Sequence, residues 1–173
     1  GEKKNEPGGR LLGEVTPQAL LAQPQTALQA LGLSACKVDY MRGIARQVVD
    51  GELDLPGMAA LEDAEVCRRL AALRGIGVWT AEMLLLFSLQ RPDILSYDDL
   101  AIRRGLRMLY RHKEMPRERF ERYRRRFSPY GSLASLYLWA IAGGALPELD
   151  DPAERKKGGS RPAASLKSTV TKD

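Results

Sequence analysis

The fold is decided by one stretch of sequence, residues 73–81, which reads Leu73-Arg74-Gly75-Ile76-Gly77-Val78-Trp79-Thr80-Ala81. Apolar residues recur with a helical period on both sides of it, so the stretch predicts a tight turn between two helices. Glycines at Gly75 and Gly77 allow a turn with positive φ, in which no side chain obstructs the backbone. The backbone N–H groups of such a turn can converge on a phosphate diester. An ordinary helix–helix turn is the alternative, because Gly-x-Gly alone is weak support.

The rest of the sequence also favours helices, and the predicted fold class is all-α, with six or seven helices and short loops. Thr16 and Pro17 are typical of a helix start, and the first helix is expected to run to about residue 30. Further helices are predicted over residues 34–51, 63–73, 78–89, from 99, 116–127 and 132–143. The helix over 78–89 is apolar almost all round, which is typical of a helix buried at the centre of a domain.

Composition divides the chain of 173 residues into three parts. Residues 1–10 and 151–173 are charged and rich in small residues without an apolar period, so both ends are predicted to be disordered. Residues 11–150 are predicted to form the helical domain, as one domain or as two small lobes that share a cleft. No apolar segment resembles a signal peptide, and apolar runs such as residues 83–87 are too short to span a membrane.

The charge is unevenly distributed. The net charge of +5 fits a polyanionic partner without proving one. Residues 103–126 carry ten arginines and one lysine against three glutamates. These arginines either flank a DNA backbone or form a solvated helix face with ion pairs such as Glu118 with Arg122. The two cysteines, Cys36 and Cys67, lie in no metal-ligand or disulfide pattern, so neither kind of site is expected.

A second motif places two carboxylates at the start of a predicted helix, in the sequence Tyr97-Asp98-Asp99-Leu100-Ala101-Ile102-Arg103. One aspartate is expected to cap the helix, which stabilises it by about 1 kcal/mol. The helix dipole and the free N–H groups also favour the anionic form of a carboxylate there. An ionised carboxylate is what the stabilisation of a developing sugar cation requires. Capping and catalysis are therefore compatible roles for this motif.

The hairpin pattern Leu-x-Gly-Ile-Gly-x-Trp-Thr-Ala, followed about twenty residues later by Asp-Asp-x-x-Ile, resembles the helix-hairpin-helix DNA glycosylase superfamily. Within it, the chain is most similar to the 3-methyladenine DNA glycosylase II group, over about residues 16–146. The resemblance implies that the hairpin binds DNA phosphate through Gly75, Ile76, Gly77 and Thr80. In that family a monovalent cation often mediates the contact, so Na⁺ or K⁺ at Gly75 and Gly77 is an expectation.

The resemblance also assigns the candidate active site. The second aspartate of the motif, Asp99, is the implied catalytic carboxylate. Trp139 is the implied aromatic of the base pocket, which we expect to include Trp79, Tyr130 and Met83 as well. Core packing is the alternative role of both tryptophans. An electron-rich ring face in this pocket would attract an alkylated purine, because such a base is cationic.

Three departures from the family pattern refine these expectations. Bifunctional members carry a lysine in the second hairpin helix where this chain has Trp79, so no Schiff base and no lyase step are expected. Iron–sulfur members carry four spaced cysteines near the C-terminal end, and this chain has none there, so no cluster is expected. Family members begin with two further helices, and this chain is expected to start after them.

The predicted function is monofunctional hydrolysis of the N-glycosidic bond of damaged, alkylated purine bases that are flipped out of duplex DNA, in base excision repair. Asp99 would stabilise the cation-like sugar or activate water against it. A non-enzymatic helix-hairpin-helix DNA-binding module and a helical protein-interaction domain are the alternatives. We expect a monomer that acts on damaged duplex DNA in the bacterial cytoplasm or the eukaryotic nucleus, without membrane association.

Overall fold

A computed structural model describes residues 15–154, which form nine α-helices and contain no β-strand. The helices are α1 (Pro17–Ala22), α2 (Gln25–Ala30), α3 (Ala35–Val49), α4 (Leu55–Met58), α5 (Asp63–Ala71), α6 (Val78–Phe87), α7 (Leu100–Tyr110), α8 (Arg117–Phe127) and α9 (Gly131–Ala142). The predicted all-α class is confirmed. The chain divides into two compact units between Ile94 and Leu95. The predicted disorder of residues 1–10, and of the predicted tail from residue 155 onward, lies outside the described residues.

The first helix begins as predicted but ends early. The Thr16 hydroxyl accepts a backbone N–H three residues on, and Pro17 follows at the first helical position. A single helix to residue 30 was the wrong prediction, because α1 stops at Ala22. Pro24 disfavours helical backbone at the residue before it, and Gln23 accordingly is extended, with φ −78° and ψ 139°. A second short helix, α2, then starts directly after Pro24.

The sequence pattern also missed α4, which is a single turn and too short to show a helical period. The Asp54 carboxylate caps it by accepting the Gly57 N–H at 3.0 Å. The Arg91 guanidinium ties this segment to the chain after α6, because it donates to the Ala59 carbonyl at 2.8 Å. It also lies 3.3 Å from an Asp63 carboxylate oxygen at the start of α5.

Helix α6 packs against α5 in the first unit. Its buried residues are Ala81, Leu85 and Leu86, which lie one helical turn apart or adjacent. The predicted burial at the centre of a domain holds for one face only, because Val78 is 49% exposed and Phe87 is 59% exposed. A helix buries the face turned towards its neighbours, and apolar residues on its other face remain in contact with solvent.

The second unit is built from α7, α8 and α9 around one apolar core. The core residues share near-complete burial and are Leu95, Ile102, Leu106, Met115, Phe120 and Leu138. Helices α7 and α9 approach each other closely at Gly105, where a Cβ atom would lie 2.4 Å from the Leu138 carbonyl oxygen. Only a glycine in α7 allows this approach. Helix α7 ends at Arg111, which has the left-handed conformation with φ 58°.

The chain beyond α9 returns to α7. Asp151 is buried, and its carboxylate accepts the Arg107 Nε–H at 3.0 Å. Glu154 pairs with Arg104 at 3.1 Å. The described structure thus extends past the predicted domain boundary at residue 150, because these carboxylates pair with arginines of α7. No helix among residues 15–154 has the length and apolar character needed to cross a membrane.

Candidate functional site

The predicted hairpin lies between α5 and α6. The Ile76 N–H donates to the Leu73 carbonyl at 3.0 Å and closes a β-turn. Gly75 has φ +89°, which confirms the predicted positive angle. A Cβ atom at Gly75 would also lie 2.3 Å from the Tyr40 ring of α3. Both the backbone conformation and the close ring therefore require glycine at this position.

Gly77 has a different role from Gly75, because its φ is negative. Its backbone is extended, with φ −89° and ψ 170°, and it forms the N-cap of α6. A Cβ atom at Gly77 would meet no atom within 4 Å. Gly77 provides no side-chain cap for the first turn of α6, whose N–H groups have no acceptor within the helix. Gly77 therefore leaves open space beside a helix N-terminus.

The other predicted residues of this unit lie next to the turn. Ile76 and Thr80 are half-buried. Trp79 is 46% exposed, so core packing alone does not describe its position. Met83 is half-buried and follows Trp79 by four residues, so the two share one face of α6. The roles of these residues in phosphate and base binding stay predictions.

Asp99 forms the N-cap of α7, whereas the sequence predicted only that one of the two aspartates would cap this helix. Its Oδ1 atom accepts the Ile102 N–H at 2.9 Å and the Trp139 indole N–H at 3.1 Å. Asp99 is only 7% exposed, whereas the neighbouring Asp98 is exposed. The two donors and the N-terminus of α7 all stabilise a negative charge on the carboxylate. Of the two adjacent aspartates, Asp99 thus has the fixed and largely buried carboxylate.

Trp139 has a contact that the sequence analysis missed. Its ring is half-buried and packs against the core of the second unit, while its indole N–H holds Asp99. The close approach of α7 and α9 at Gly105 makes this bond possible. A glycine in the middle of a predicted helix was the available signal for such an approach. The structure thus brings Asp99 and Trp139 together.

Tyr130 lies elsewhere in the second unit. It is the N-cap residue of α9 and is 67% exposed. It lines an apolar groove of about 350 Å³ together with Leu133 and Tyr137. These two residues follow the opposite face of α9 from Trp139. The structure therefore does not bring Tyr130 to the pair formed by Asp99 and Trp139.

The cation predicted at the hairpin can be tested against the groups present. Among the described residues, no cluster of three or more His, Cys, Asp or Glu side chains is arranged to hold a metal ion. A monovalent cation would thus depend on backbone carbonyl oxygens. The Gly77 carbonyl accepts the Ala81 N–H at 2.9 Å, whereas the Gly75 carbonyl accepts no hydrogen bond in the described part of the chain. Gly75 fits such an ion, and the site stays a prediction.

Comparison with known proteins identifies the family. The sequence model of the family described as "HhH-GPD superfamily base excision DNA repair protein" matches residues 5–129. The chain belongs to this superfamily. The predicted membership of the helix-hairpin-helix glycosylase superfamily is therefore confirmed.

Individual relatives support the same assignment. DNA-3-methyladenine glycosylase 1 of Schizosaccharomyces pombe is 34% identical over 144 residues, which are 82% of this chain and 62% of that protein. A crystal structure of DNA-3-methyladenine glycosidase from Bacillus halodurans matches with a TM-score of 0.67 and 36% identity, over 77% of this chain and 62% of that one. The S. pombe 3-methyladenine DNA glycosylase in complex with abasic DNA matches with a TM-score of 0.64 and 35% identity. The match covers 72% of this chain and 62% of that one. The chain spans about half the length of the curated relatives it matches.

Proposed function

We propose that this chain supplies the DNA-binding and catalytic residues of a 3-methyladenine-type DNA glycosylase. The enzyme would hydrolyse the N-glycosidic bond of alkylated purines in base excision repair. The environment of Asp99 carries this proposal, because its largely buried carboxylate is fixed by two hydrogen-bond donors on Oδ1. Relatives named for this activity are 34% and 36% identical to the chain, which supports the same conclusion.

The chemistry requires a negative charge close to the sugar. Cleavage of the N-glycosidic bond generates a cation-like sugar, and a fixed carboxylate stabilises that charge without reorganising. An alkylated purine is already cationic and leaves readily, so a strong general acid is not needed. In this proposal Asp99 either stabilises the sugar cation directly or activates the attacking water. Its bonds to Ile102 and Trp139 set its position before the substrate arrives.

Aromatic side chains would hold the base after it is flipped out of the duplex. Trp139 places an aromatic ring beside the proposed catalytic carboxylate, because its indole N–H bonds to Asp99. Trp79 and Met83 on α6 are further candidates, and Tyr130 is the weakest because it faces a different groove. Helix α6 contains no lysine, so we propose a monofunctional hydrolase without a Schiff-base step.

The hairpin would bind the DNA backbone. Open space at Gly77 and the N-terminus of α6 suit a phosphate diester, with Ile76 and Thr80 beside it. Such a contact sets the register of the protein on duplex DNA without reading its sequence. A Na⁺ or K⁺ ion at the Gly75 carbonyl would strengthen the same contact. In this proposal the protein acts as a monomer, in the compartment that holds the DNA.

The test replaces Asp99 by asparagine. Asp99→Asn keeps the size of the side chain and the ability to cap α7, but it removes the negative charge. Single-turnover release of methylated base from duplex DNA should therefore fall by roughly 100-fold or more. Affinity for the same duplex should stay the same or increase, because a charge that repels phosphate is removed.

The matched control is Asp98→Asn, which removes an exposed carboxylate one residue away. This variant should release base at nearly the rate of the unchanged chain. Loss of release in Asp98→Asn but not in Asp99→Asn would make the assignment wrong. A chain that binds DNA without releasing base would instead be a non-enzymatic DNA-binding module. A chain without salt-dependent DNA binding would fit a protein-interaction domain.

A further inference from the structure

A second cavity in the unit that begins at Leu95 lies between the end of α7 and α8, and its volume is about 380 Å³. The residues that line it, here called the arginine pocket, are His112, Arg119, Arg122, Tyr123 and Arg126. Arginines at positions 119, 122 and 126 are three and four residues apart, so they share one face of α8. No lining residue is acidic, and the pocket therefore concentrates positive charge.

This charge is not neutralised by the acidic residues of α8. Glu121 lies 3.8 Å from Arg117 and 3.7 Å from Arg124, which are on other faces of the helix. The predicted ion pair of Glu118 with Arg122 is absent from the described residues. None of the three arginines of the pocket forms an ion pair with any residue from 15 to 154. Three arginines thus line one cavity without a carboxylate partner, although Arg119 donates one N–H to the Glu114 carbonyl at 2.8 Å.

His112 responds to this positive potential. Burial, together with the charges of Arg119 and Arg122, holds the pKa of the His112 imidazole below its ordinary value. Two tyrosine rings lie beside the imidazole, with centroid distances of 6.5 Å to Tyr110 and 5.9 Å to Tyr123. An anion in the pocket would offset the repulsion between the arginines and a protonated imidazole. Protonation of His112 would then become easier.

The Tyr123 hydroxyl can also donate a hydrogen bond to such an anion. The His112 Nε2 atom lies 2.7 Å from the Tyr123 hydroxyl oxygen. When His112 is protonated, Nε2–H donates to that oxygen, and the Tyr123 O–H is then directed to another acceptor. The Tyr123 ring is held by stacking on Tyr110 at 4.3 Å. The hydroxyl is therefore positioned and becomes a donor when the imidazole carries a proton.

We propose that the arginine pocket binds a phosphate group, carried either by the DNA backbone or by a small polyphosphate. Guanidinium groups bind phosphate oxygens in bidentate geometry. Three of them carry more positive charge than a single carboxylate could neutralise. The pocket is separate from the proposed active site, because Asp99 begins α7 and His112 follows its end. At 1.5 Å per residue the two lie about 20 Å apart along the helix. The proposal does not depend on glycosylase activity.

The experiment uses His112 as its own probe. It is the single histidine of the 173-residue chain, so its ring proton gives one histidine signal in the NMR spectrum. The chain is titrated with pyrophosphate at constant ionic strength, and the signal is followed from acid to neutral pH. Binding should be saturable and should raise the apparent pKa of His112, because bound phosphate offsets the charge of the arginines. Chloride at the same ionic strength should not give a saturable response.

Two double variants separate specific binding from general attraction. Arg122→Gln combined with Arg126→Gln removes two lining charges and should weaken pyrophosphate binding at least about tenfold. Arg124→Gln combined with Arg125→Gln removes the same charge from residues of α8 that do not line the pocket, and it should leave binding within about twofold. All four side chains are exposed, so both variants should keep the helical circular dichroism spectrum.

The two sources of phosphate are separated by repeating the titration with a short undamaged duplex. A response to the duplex that only the Arg122/Arg126 variant loses identifies a phosphodiester of DNA as the occupant. A response to pyrophosphate without one to the duplex identifies a small polyphosphate. The absence of a saturable response to both ligands, or an equal response in the two double variants, overturns the proposal. This experiment does not measure base release. A chain that lacks the proposed glycosylase activity can therefore still confirm or contradict phosphate binding in the arginine pocket.

Discussion

At the scale of single residues, the two glycines of the hairpin have different roles: one is required for the turn, and the other is proposed to lie beside the bound phosphate. Gly75 has φ +89° and lies against the Tyr40 ring, so a side chain there disturbs the turn itself. Gly77 is extended, and a side chain there would enter open space. Substitutions at Gly77 therefore test phosphate binding in a chain that still folds, whereas substitutions at Gly75 do not.

Gly77→Asp is expected to weaken binding to duplex DNA by about tenfold or more, because a carboxylate then faces the phosphate at the start of α6. The stability of the chain should stay the same or rise slightly, since aspartate is a favourable N-cap residue. Fluorescence anisotropy with a labelled duplex measures the affinity, and urea denaturation measures the stability.

The control for charge is Gly77→Asn, which has nearly the same size and also caps helices. It should lose much less affinity than Gly77→Asp. Equal affinities of both variants and the unchanged chain would show that the turn is structural only. Gly75→Ala should instead lower the free energy of unfolding by about 1–3 kcal/mol, because it forces an alanine into a positive φ angle.

The residues that the sequence predicted well depend on local chemistry. A cap of α7 by one of the two aspartates follows from their position directly before a helical period, whereas the choice of Asp99 does not. The bond from Trp139 to Asp99 was missed, because it joins residues on α7 and α9 that only packing brings together. The extended backbone of Gly77 was also missed, since glycine tolerates many conformations and its sequence position selects none of them.

At the scale of elements, the packing of α7 on α9 positions the candidate active site. Gly105 allows the close approach, and Trp139 follows directly after the residue whose carbonyl faces Gly105. Helix positions were predictable because periodicity and caps are local signals. The exceptions were the break at Pro24 and the single turn of α4. The crossing of α7 and α9 was not predictable, because it depends on residues far apart in sequence.

Gly105→Ala is therefore expected to destabilise the chain by about 1–3 kcal/mol, because its Cβ atom would lie 2.4 Å from the Leu138 carbonyl oxygen and force α7 and α9 apart. Base release should fall as well, since the same shift pulls Trp139 away from Asp99. Urea denaturation gives the stability, and single-turnover release gives the activity of the folded variant.

A helical glycine without close neighbours provides the control. Gly43 lies in α3, and a Cβ atom there would meet nothing within 4 Å. Gly43→Ala should raise stability by up to about 1 kcal/mol, because alanine favours the helix over glycine. Stabilisation by Gly105→Ala to the same extent as Gly43→Ala would contradict the close packing of α7 and α9.

At the scale of the whole molecule, ion pairs join the end of the described chain to α7. Asp151 bonds to Arg107, while Asp150 lies 3.1 Å from Arg111. Composition alone predicted a disordered tail from residue 151, because the segment is charged and has no apolar period. Only residues 151–154 of that segment are described, and their carboxylates at Asp151 and Glu154 pair with arginines of α7.

The two aspartates differ in exposure, and this difference predicts their contributions to stability. The Asp151 side chain is fully buried, whereas that of Asp150 is 48% exposed. Asp151→Asn should lower the free energy of unfolding by about 3 kcal/mol at neutral pH, because it leaves Arg107 without its partner. Asp150→Asn should cost less than about 1 kcal/mol, as is usual for an exposed pair.

The pH dependence of this difference tests its electrostatic origin. The hydrogen bond from Arg107 holds the pKa of Asp151 below its ordinary value, so the folded chain binds the proton less readily than the unfolded chain does. The contribution of the carboxylate is thus complete above the unfolded pKa of about 3.9 and is lost as the pH falls through the folded pKa. The stability gap between the unchanged chain and Asp151→Asn should therefore be constant from pH 7 to about pH 5 and should narrow below about pH 4. Urea denaturation across this range measures the gap, and a gap of constant size down to the acid limit would assign it to packing of the side chain instead of its charge.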